Sequence, residues 1–295
     1  MKHLFITLFS LMALCSVSEA VIGVASPSSE WVSILYLNDA DPTGDQQTSG
    51  SGGGTEADIV GDVDHAALYK QYDEATDYFA FRIRMGADSS PAGYDSATLI
   101  GMDVDSDGSL DYYIGVEVDG VGAANAKFDI GIYAFDGPAS SPAETKAALA
   151  SPSSQIYGYQ MDSSNFNWSS VAAIDGITDL TSVDADVDQV GNPDYFLSFS
   201  VSFSHLAAAM GLDDASLLTT PISFAAITSQ NLNQINNDFN GVDGTDPNST
   251  TTWTDSGGVS ETYTPESEVP VPESATYALL FSLVMLGCAG SRRRR

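Results

Sequence analysis

This chain of 295 residues is poor in cysteine and in basic residues. Its two cysteines, Cys15 and Cys288, both fall in apolar terminal segments. The region between them therefore has no disulfide to staple it and no thiol to serve as nucleophile or metal ligand. Beyond His3, only His65 and His205 occur, and no H-E-x-x-H run or G-x-S-x-G elbow is present. That argues against a zinc centre or a nucleophile–histidine hydrolase, and both histidines read as structural. Of the 10 Lys and Arg, Lys2 and Arg292 to Arg295 lie at the termini, leaving Lys70, Lys127, Lys146, Arg82 and Arg84. Against them stand 39 of the 40 acids, all but Glu19, for a net charge of −34. Such a field disfavours nucleic acid and anionic lipid as partners and favours divalent cations.

What is present begins with an acidic loop. Asp103-Val-Asp105-Ser-Asp107-Gly108-Ser-Leu-Asp111 sets carboxylates at alternate positions before a glycine able to take the left-handed backbone. Calcium takes six to eight oxygen ligands, and Asp103, Asp105, Asp107 and Asp111 would supply them from one tight turn. An EF-hand also needs an acid at loop position 12, where Ile114 stands, and flanking helices. Here Thr98–Met102 and Tyr112–Val118 are strand-like on both sides. The pattern predicts a calcium-stapled β-hairpin, the competing reading being a solvated acidic turn. Two further acidic clusters are candidates for a second ion: Asp184, Asp186 and Asp188, and then Asp238, Asn240 and Asp243. Neither is read as sharing the first loop's register, and a solvated loop is the alternative for each.

Short period-two segments fill the middle of the chain. Phe79, Phe81, Ile83 and Met85 alternate with Ala80, Arg82 and Arg84, and Tyr195–Phe203 alternates aromatic and aliphatic residues with serines. Further strands are read at Trp31–Leu37, Ala66–Tyr72, Phe128–Phe135, Ile156–Met161 and Ile222–Ile227. The Ser141–Glu144 capping box predicts a short helix Pro142–Ala150, and a second is read at Ser204–Met210. No repeat of solenoid or propeller period is found. The fold class is all-β: an antiparallel β-sandwich over 21–264 with one or two short helices.

Other chemistry is sparse. Arg82 and Arg84 share a strand face and are candidates to clamp a carboxylated sugar, with ion pairing on the sheet as the bland alternative. Trp168 and Trp253, read in polar loops, are candidates to stack on sugars, with anchoring roles as the alternative. Glu117-Val-Asp119 is similar to part of the E-x-D-x-x-E motif of laminarinase-like sandwiches but lacks its third acid, so no activity is carried over. No catalytic residue is assigned. The order of D-x-D-H, aromatic strand, F-x-I-R and acidic hairpin over Asp62–Asp111 resembles bacterial domains of the DOMON group and family 9 carbohydrate-binding modules. That resemblance implies structural calcium and glycan binding.

The termini read as addresses. Residues 1–20 have a basic start, an apolar run Leu4–Val17 and a Ser18-Glu19-Ala20 end, the pattern of a secretory signal peptide. At the other end come a Pro/Glu linker, 265–274, an apolar run, 275–290, and a basic tail, 291–295. The 16 apolar residues would form a helix about 24 Å long, and the arginines would hold the tail in the cytoplasm. This order resembles the PEP-CTERM sorting signal of Gram-negative bacteria, with Pro272-Glu273-Ser274 where that family has Pro-Glu-Pro and Arg292, Arg293, Arg294 and Arg295 as the basic block. The resemblance implies processing by exosortase after secretion across the inner membrane. The chain would be anchored there transiently, then delivered to the cell surface or an exopolysaccharide matrix. The resulting expectation is a non-enzymatic surface or matrix protein with structural calcium. A carbohydrate-binding module for extracellular polysaccharide is the alternative, and a polysaccharide-acting enzyme is third.

Overall fold

The computed structural model describes residues 23–36, 57–87, 93–94, 96–117, 130–150, 154–189, 191–243 and 246–266. The signal peptide, the glycine-rich stretch 39–56, Asp119, and the sorting residues Pro272, Glu273, Ser274 and Arg292 to Arg295 lie outside the described residues.

Two antiparallel sheets make up the fold. The first has five strands, β1 (Val32–Ile34), β2 (Leu68–Asp73), β3 (Tyr78–Met85), β8 (Phe166–Ser170) and β9 (Tyr195–Ser202), in the order β1-β2-β3-β9-β8. The second has six, β4 (Ala97–Asp103), β5 (Tyr112–Glu117), β6 (Ile130–Ala134), β7 (Ser154–Tyr159), β10 (Ser223–Ser229) and β11 (Asp238–Phe239), in the order β11-β10-β4-β5-β6-β7. Alternation fixes which residues meet between them. Phe79, Phe81 and Ile83 of β3 and Leu197, Phe199 and Val201 of β9 form one buried cluster with Ile100, Ile114, Ile132 and Phe224 of the other sheet. The Phe81 and Phe224 rings meet 5.3 Å apart, nearly edge to face.

Both outer faces are covered as well. On the six-stranded sheet, Leu99, Tyr113 and Ile227 pack with Leu149 of helix α1 (Pro142–Ala150) and Trp253. On the five-stranded sheet, Ala80 and Phe196 pack under Trp31 and Val171. This changes the meaning of the polar half of each alternation. Ser198 and Ser200 of β9 are buried, as are Arg82 and Arg84 of β3, because the Val24–Trp31 segment roofs that face.

Short helices are more numerous than the one or two expected. Besides α1 there are α2 (Val171–Asp175), α3 (Phe203–Ala209), α4 (Asp214–Thr219) and α5 (Trp253–Ser256). Ser170, Ser202, Asp213 and Thr252 cap the last four, each side chain accepting the backbone N–H three residues on. The helix read at Ser204–Met210 is α3, one residue earlier at each end. At four to six residues the other three are too short to display a 3.6-residue period, so only their caps announce them. The capping box of α1 is shifted by one: Glu144 N donates to Ser141 Oγ, but the Glu144 carboxylate returns to the amide and hydroxyl of Ser140. The strand ending in Phe203 stops at Ser202, and Phe203 opens α3.

Candidate functional site

Loop 103–111 joins β4 to β5, and its backbone amides aim its carboxylates. Asp103 Oδ1 accepts from Ser106 N at 2.8 Å and its Oδ2 from Gly108 N at 3.1 Å. Asp111 Oδ2 accepts from Val104 N at 2.9 Å, while Asp111 N donates to Met102 O at 2.9 Å. Ser106 (φ 62°) and Gly108 (φ 86°) take left-handed backbone to permit this. Leu110 clamps the loop onto β4: a Cβ on Gly101 would lie 2.6 Å from Leu110 Cδ1.

These constraints bring one carboxylate oxygen each from Asp103, Asp105 and Asp111 within 4.8 Å of one another. Asp107 is not in the group; its Oδ1 accepts from Ser109 N at 2.8 Å and the residue is exposed. Burial pushes the Asp103 and Asp111 carboxyls up from the usual range against the pull of their backbone donors, and neighbouring aspartates push the same way. A hard divalent cation would relieve that repulsion, and oxygen-only donors fit calcium or magnesium rather than a thiophilic metal. A cavity of about 530 Å³ opens onto Asp105 and Asp111, with Phe135, Met210 and Leu212 across it.

The second converging group is Asp186, Asp188 and Asp194, again with oxygens within 4.8 Å of one another. It lies where the loop after α2 enters β9. Asp194 Oδ2 accepts from Val187 N at 3.0 Å and from Arg84 Nη1 at 2.8 Å, and Asp186 Oδ2 accepts from Gly191 N at 2.9 Å. Burial pushes Asp194 up to about 6; the Val187 N–H and Arg84 pull it back, and the Asp186 charge adds to the rise.

Asp184, read as part of this cluster, stands apart. Its side chain turns to His65 Nε2 at 3.1 Å, whose Nδ1 meets Asp62 at 3.0 Å, and its carbonyl accepts from Arg84. Asp194, absent from the sequence reading, takes its place. A signal for it exists: D-V-D-x-x-G-x-x-D-Y occurs at Asp103–Tyr112 and again at Asp186–Tyr195. The second loop does share the first one's register, once counting starts at Asp186 instead of Asp184.

Apart from Asp243, which is exposed, the remaining candidates take structural roles. Asp238 is buried in β11, where its Oδ2 accepts from Ile59 N at 2.7 Å, and Asn240 is buried beside it with its backbone N–H donating to Ala226 O. Asp238 and Asp243 belong to neither converging group. Arg82 is 0 % exposed, lies 4.2 Å over the Trp31 ring and donates to Ser198 Oγ, Val24 O and Ser26 O. Arg84 is 3 % exposed and paired with Asp194. Neither guanidinium reaches a surface where a sugar carboxylate binds. Trp253 is fully buried in α5, its Nε1 donating to Thr145 Oγ1 at 3.0 Å. Trp168 lies on β8, not in a loop, packed between Tyr94 and Tyr195 at 5.1 and 5.0 Å. His205 stacks on Tyr157 at 4.2 Å.

A cavity of about 770 Å³ is open and hydroxyl-rich, lined by Ser26, Asp77, Tyr78, Tyr159, Ser200 and Ser202 among others. The Asp77 carboxylate there is taken up by Ser202 Oγ and by the amide and hydroxyl of Ser204. No helix among the described residues is long and apolar enough to cross a membrane. No family model matches the chain, and no curated protein or solved structure matches it either.

Proposed function

We propose that this chain is a secreted, non-enzymatic surface or matrix protein whose β-sandwich is stabilised by bound calcium. The observation that carries the reading is the convergence of Asp103, Asp105 and Asp111 on one point of a hairpin that links two central strands. A cation there ties the β4–β5 turn together in a domain with no disulfide, and it offsets part of an extreme negative charge. Asp103, Asp105 and Asp111 would ligate through carboxylate oxygens; Asp107 would reach the ion only by turning inward. The terminal segments support an extracellular address. Signal peptide 1–20 directs export, and the 265–295 region directs processing by exosortase in a Gram-negative host, with transient anchoring in the inner membrane.

A second reading has its own observation. The 770 Å³ cavity combines two tyrosines with a row of serine hydroxyls, a surface chemistry suited to a neutral polysaccharide. One experiment addresses both: thermal unfolding of the full chain in calcium and in chelator, repeated with acidic and neutral polysaccharides. A calcium-dependent rise in Tm without glycan response supports the structural role, and a further rise with one glycan selects the binding module. No calcium effect would remove the reading's foundation.

A further inference from the structure

We infer that Asp186, Asp188 and Asp194 form a second calcium site, sealed inside the domain where the chain enters β9. This goes beyond the function proposed above, which rests on the first loop alone. Asp186 is 1 % exposed and Asp194 0 % exposed, yet Asp186 Oδ1 and Asp194 Oδ1 have no hydrogen-bond partner. The other oxygen of each is committed, on Asp186 to Gly191 N and on Asp194 to Val187 N and Arg84. The Oδ1 atoms are therefore what remains for a ligand. Two buried, unpaired carboxylate oxygens in one small group carry both a desolvation cost and mutual repulsion. A cation between them removes both penalties together.

The surroundings fit that ion. All oxygens on offer are hard, and Asp188 brings a third carboxylate from a half-buried position from which water can complete the shell. Gly86 leaves the approach clear: a Cβ there would come within 3.4 Å of Asp188 Oδ2 and 3.3 Å of Asp58 Oδ2. Arg84 holds Asp194 through Oδ2 and offsets one carboxylate charge, so three carboxylates and one guanidinium present the net charge a divalent ion neutralises. At its described residues the backbone repeats that of the first loop. Val187 N–Asp194 Oδ2, Gly191 N–Asp186 Oδ2 and Asp194 N–Ala185 O (2.8 Å) repeat Val104 N–Asp111 Oδ2, Gly108 N–Asp103 Oδ2 and Asp111 N–Met102 O. Gln189 (φ 56°) and Gly191 (φ 93°) repeat Ser106 and Gly108.

The test is calcium stoichiometry of the full chain, by calorimetric titration with calcium chloride and by metal analysis after gel filtration. The native chain is compared with Asp105→Asn, Asp188→Asn and Asp186→Asn. Asparagine keeps the side-chain shape, Asp188 is half-exposed, and near-ultraviolet circular dichroism checks each fold. The expected result is two ions in the native chain and the loss of one in each variant. A single ion that disappears in Asp105→Asn and survives in both Asp188→Asn and Asp186→Asn overturns the second site and leaves the first standing. A single ion with the reverse pattern upholds the second site and defeats the first. No ion at all defeats both.

Discussion

The loops 103–111 and 186–194 follow one nine-residue plan set at two depths. In both, an aspartate at the first position caps the loop glycine, and an aspartate at the ninth accepts the amide of the second residue. In both, a tyrosine follows and starts a central strand, β5 or β9. They differ in what surrounds them. The first sits at a hairpin turn with Asp105 exposed and a cavity alongside. The second is buried on two of its three carboxylates and pinned by Arg84 from β3. The backbone alone therefore sets where the oxygens converge, while the depth sets how costly they are without an ion. An open loop that held calcium would exchange it with the ambient pool. A sealed loop needs a built-in counter-charge to survive unloaded, and Arg84 is that charge.

The largest expected effect breaks the comparison if the depths do not matter. Asp194→Ala leaves the Arg84 guanidinium buried without its carboxylate and should cost roughly 3–5 kcal/mol. Asp111→Ala, at a half-exposed position with one backbone donor to satisfy, should cost about 1–2 kcal/mol. Urea unfolding of the full chain in chelator measures both. Equal losses would mean that the open and sealed sites are not energetically distinct.

A neighbouring cation sharpens the point about Arg84. Lys70 on β2 is also fully buried, but among the described residues its Nζ donates only to the Pro265 carbonyl, at 3.3 Å. Burial lowers its pKa from 10.5 to about 8. The folded protein holds this proton less tightly than the unfolded chain, so the penalty is full below about 8 and fades as pH rises toward 10.5. Lys70→Met should therefore stabilise the chain at pH 7, by roughly 2–3 kcal/mol, and by less at pH 9.5. Arg84→Met should destabilise it at both. Urea midpoints at the two pH values decide. A Lys70→Met variant weaker at pH 7 would show that burial without a counter-charge is not what costs stability here.

Calcium itself should act on the two loops separately. A site held at 100 times its Kd adds about 2.7 kcal/mol, which for a domain of this size is roughly 5–10 °C in Tm. Asp105→Asn and Asp188→Asn should each remove one such increment. After chelator is added, the increment that Asp105→Asn abolishes should decay first, because that carboxylate faces solvent. Simultaneous decay would contradict the difference in depth.

Much of this is legible in the sequence, and what is not has physical causes. The spans of β3 and α1 agree with the periodicity and the capping box, because both are long enough to show a pattern. The polar faces of β3 and β9 misled, since alternation separates two faces but does not say that one is wet. Here Trp31 and the Val24–Ser26 carbonyls cover the arginines. Phe166–Ser170 reads as polar loop because only tertiary pairing with β9 makes it a strand. The register of the second loop, and Asp194 with it, escapes a reading of the sequence for a sharper reason. Asp107 makes the first loop conspicuous, yet it is outside the converging group, and Val190 at the matching position makes the second loop look broken. The residues that matter are the first, third, sixth and ninth, and these agree in both.

The smallest predicted effect tests that agreement most directly. Gly108 and Gly191 both have positive φ, 86° and 93°, and an added Cβ would touch nothing closer than Thr254 Oγ1 at 3.7 Å at the first and nothing within 4 Å at the second. Alanine at either position therefore reports backbone strain with almost no steric contribution. Each Gly→Ala change should cost about 1 kcal/mol in chelator, the two values agreeing within the error of urea unfolding. Each should also weaken calcium at its own loop, since the glycine amide holds the first aspartate in place. If Gly191→Ala is neutral while Gly108→Ala is costly, the second loop does not depend on its left-handed turn. The likeness between the loops would then stop at the sequence.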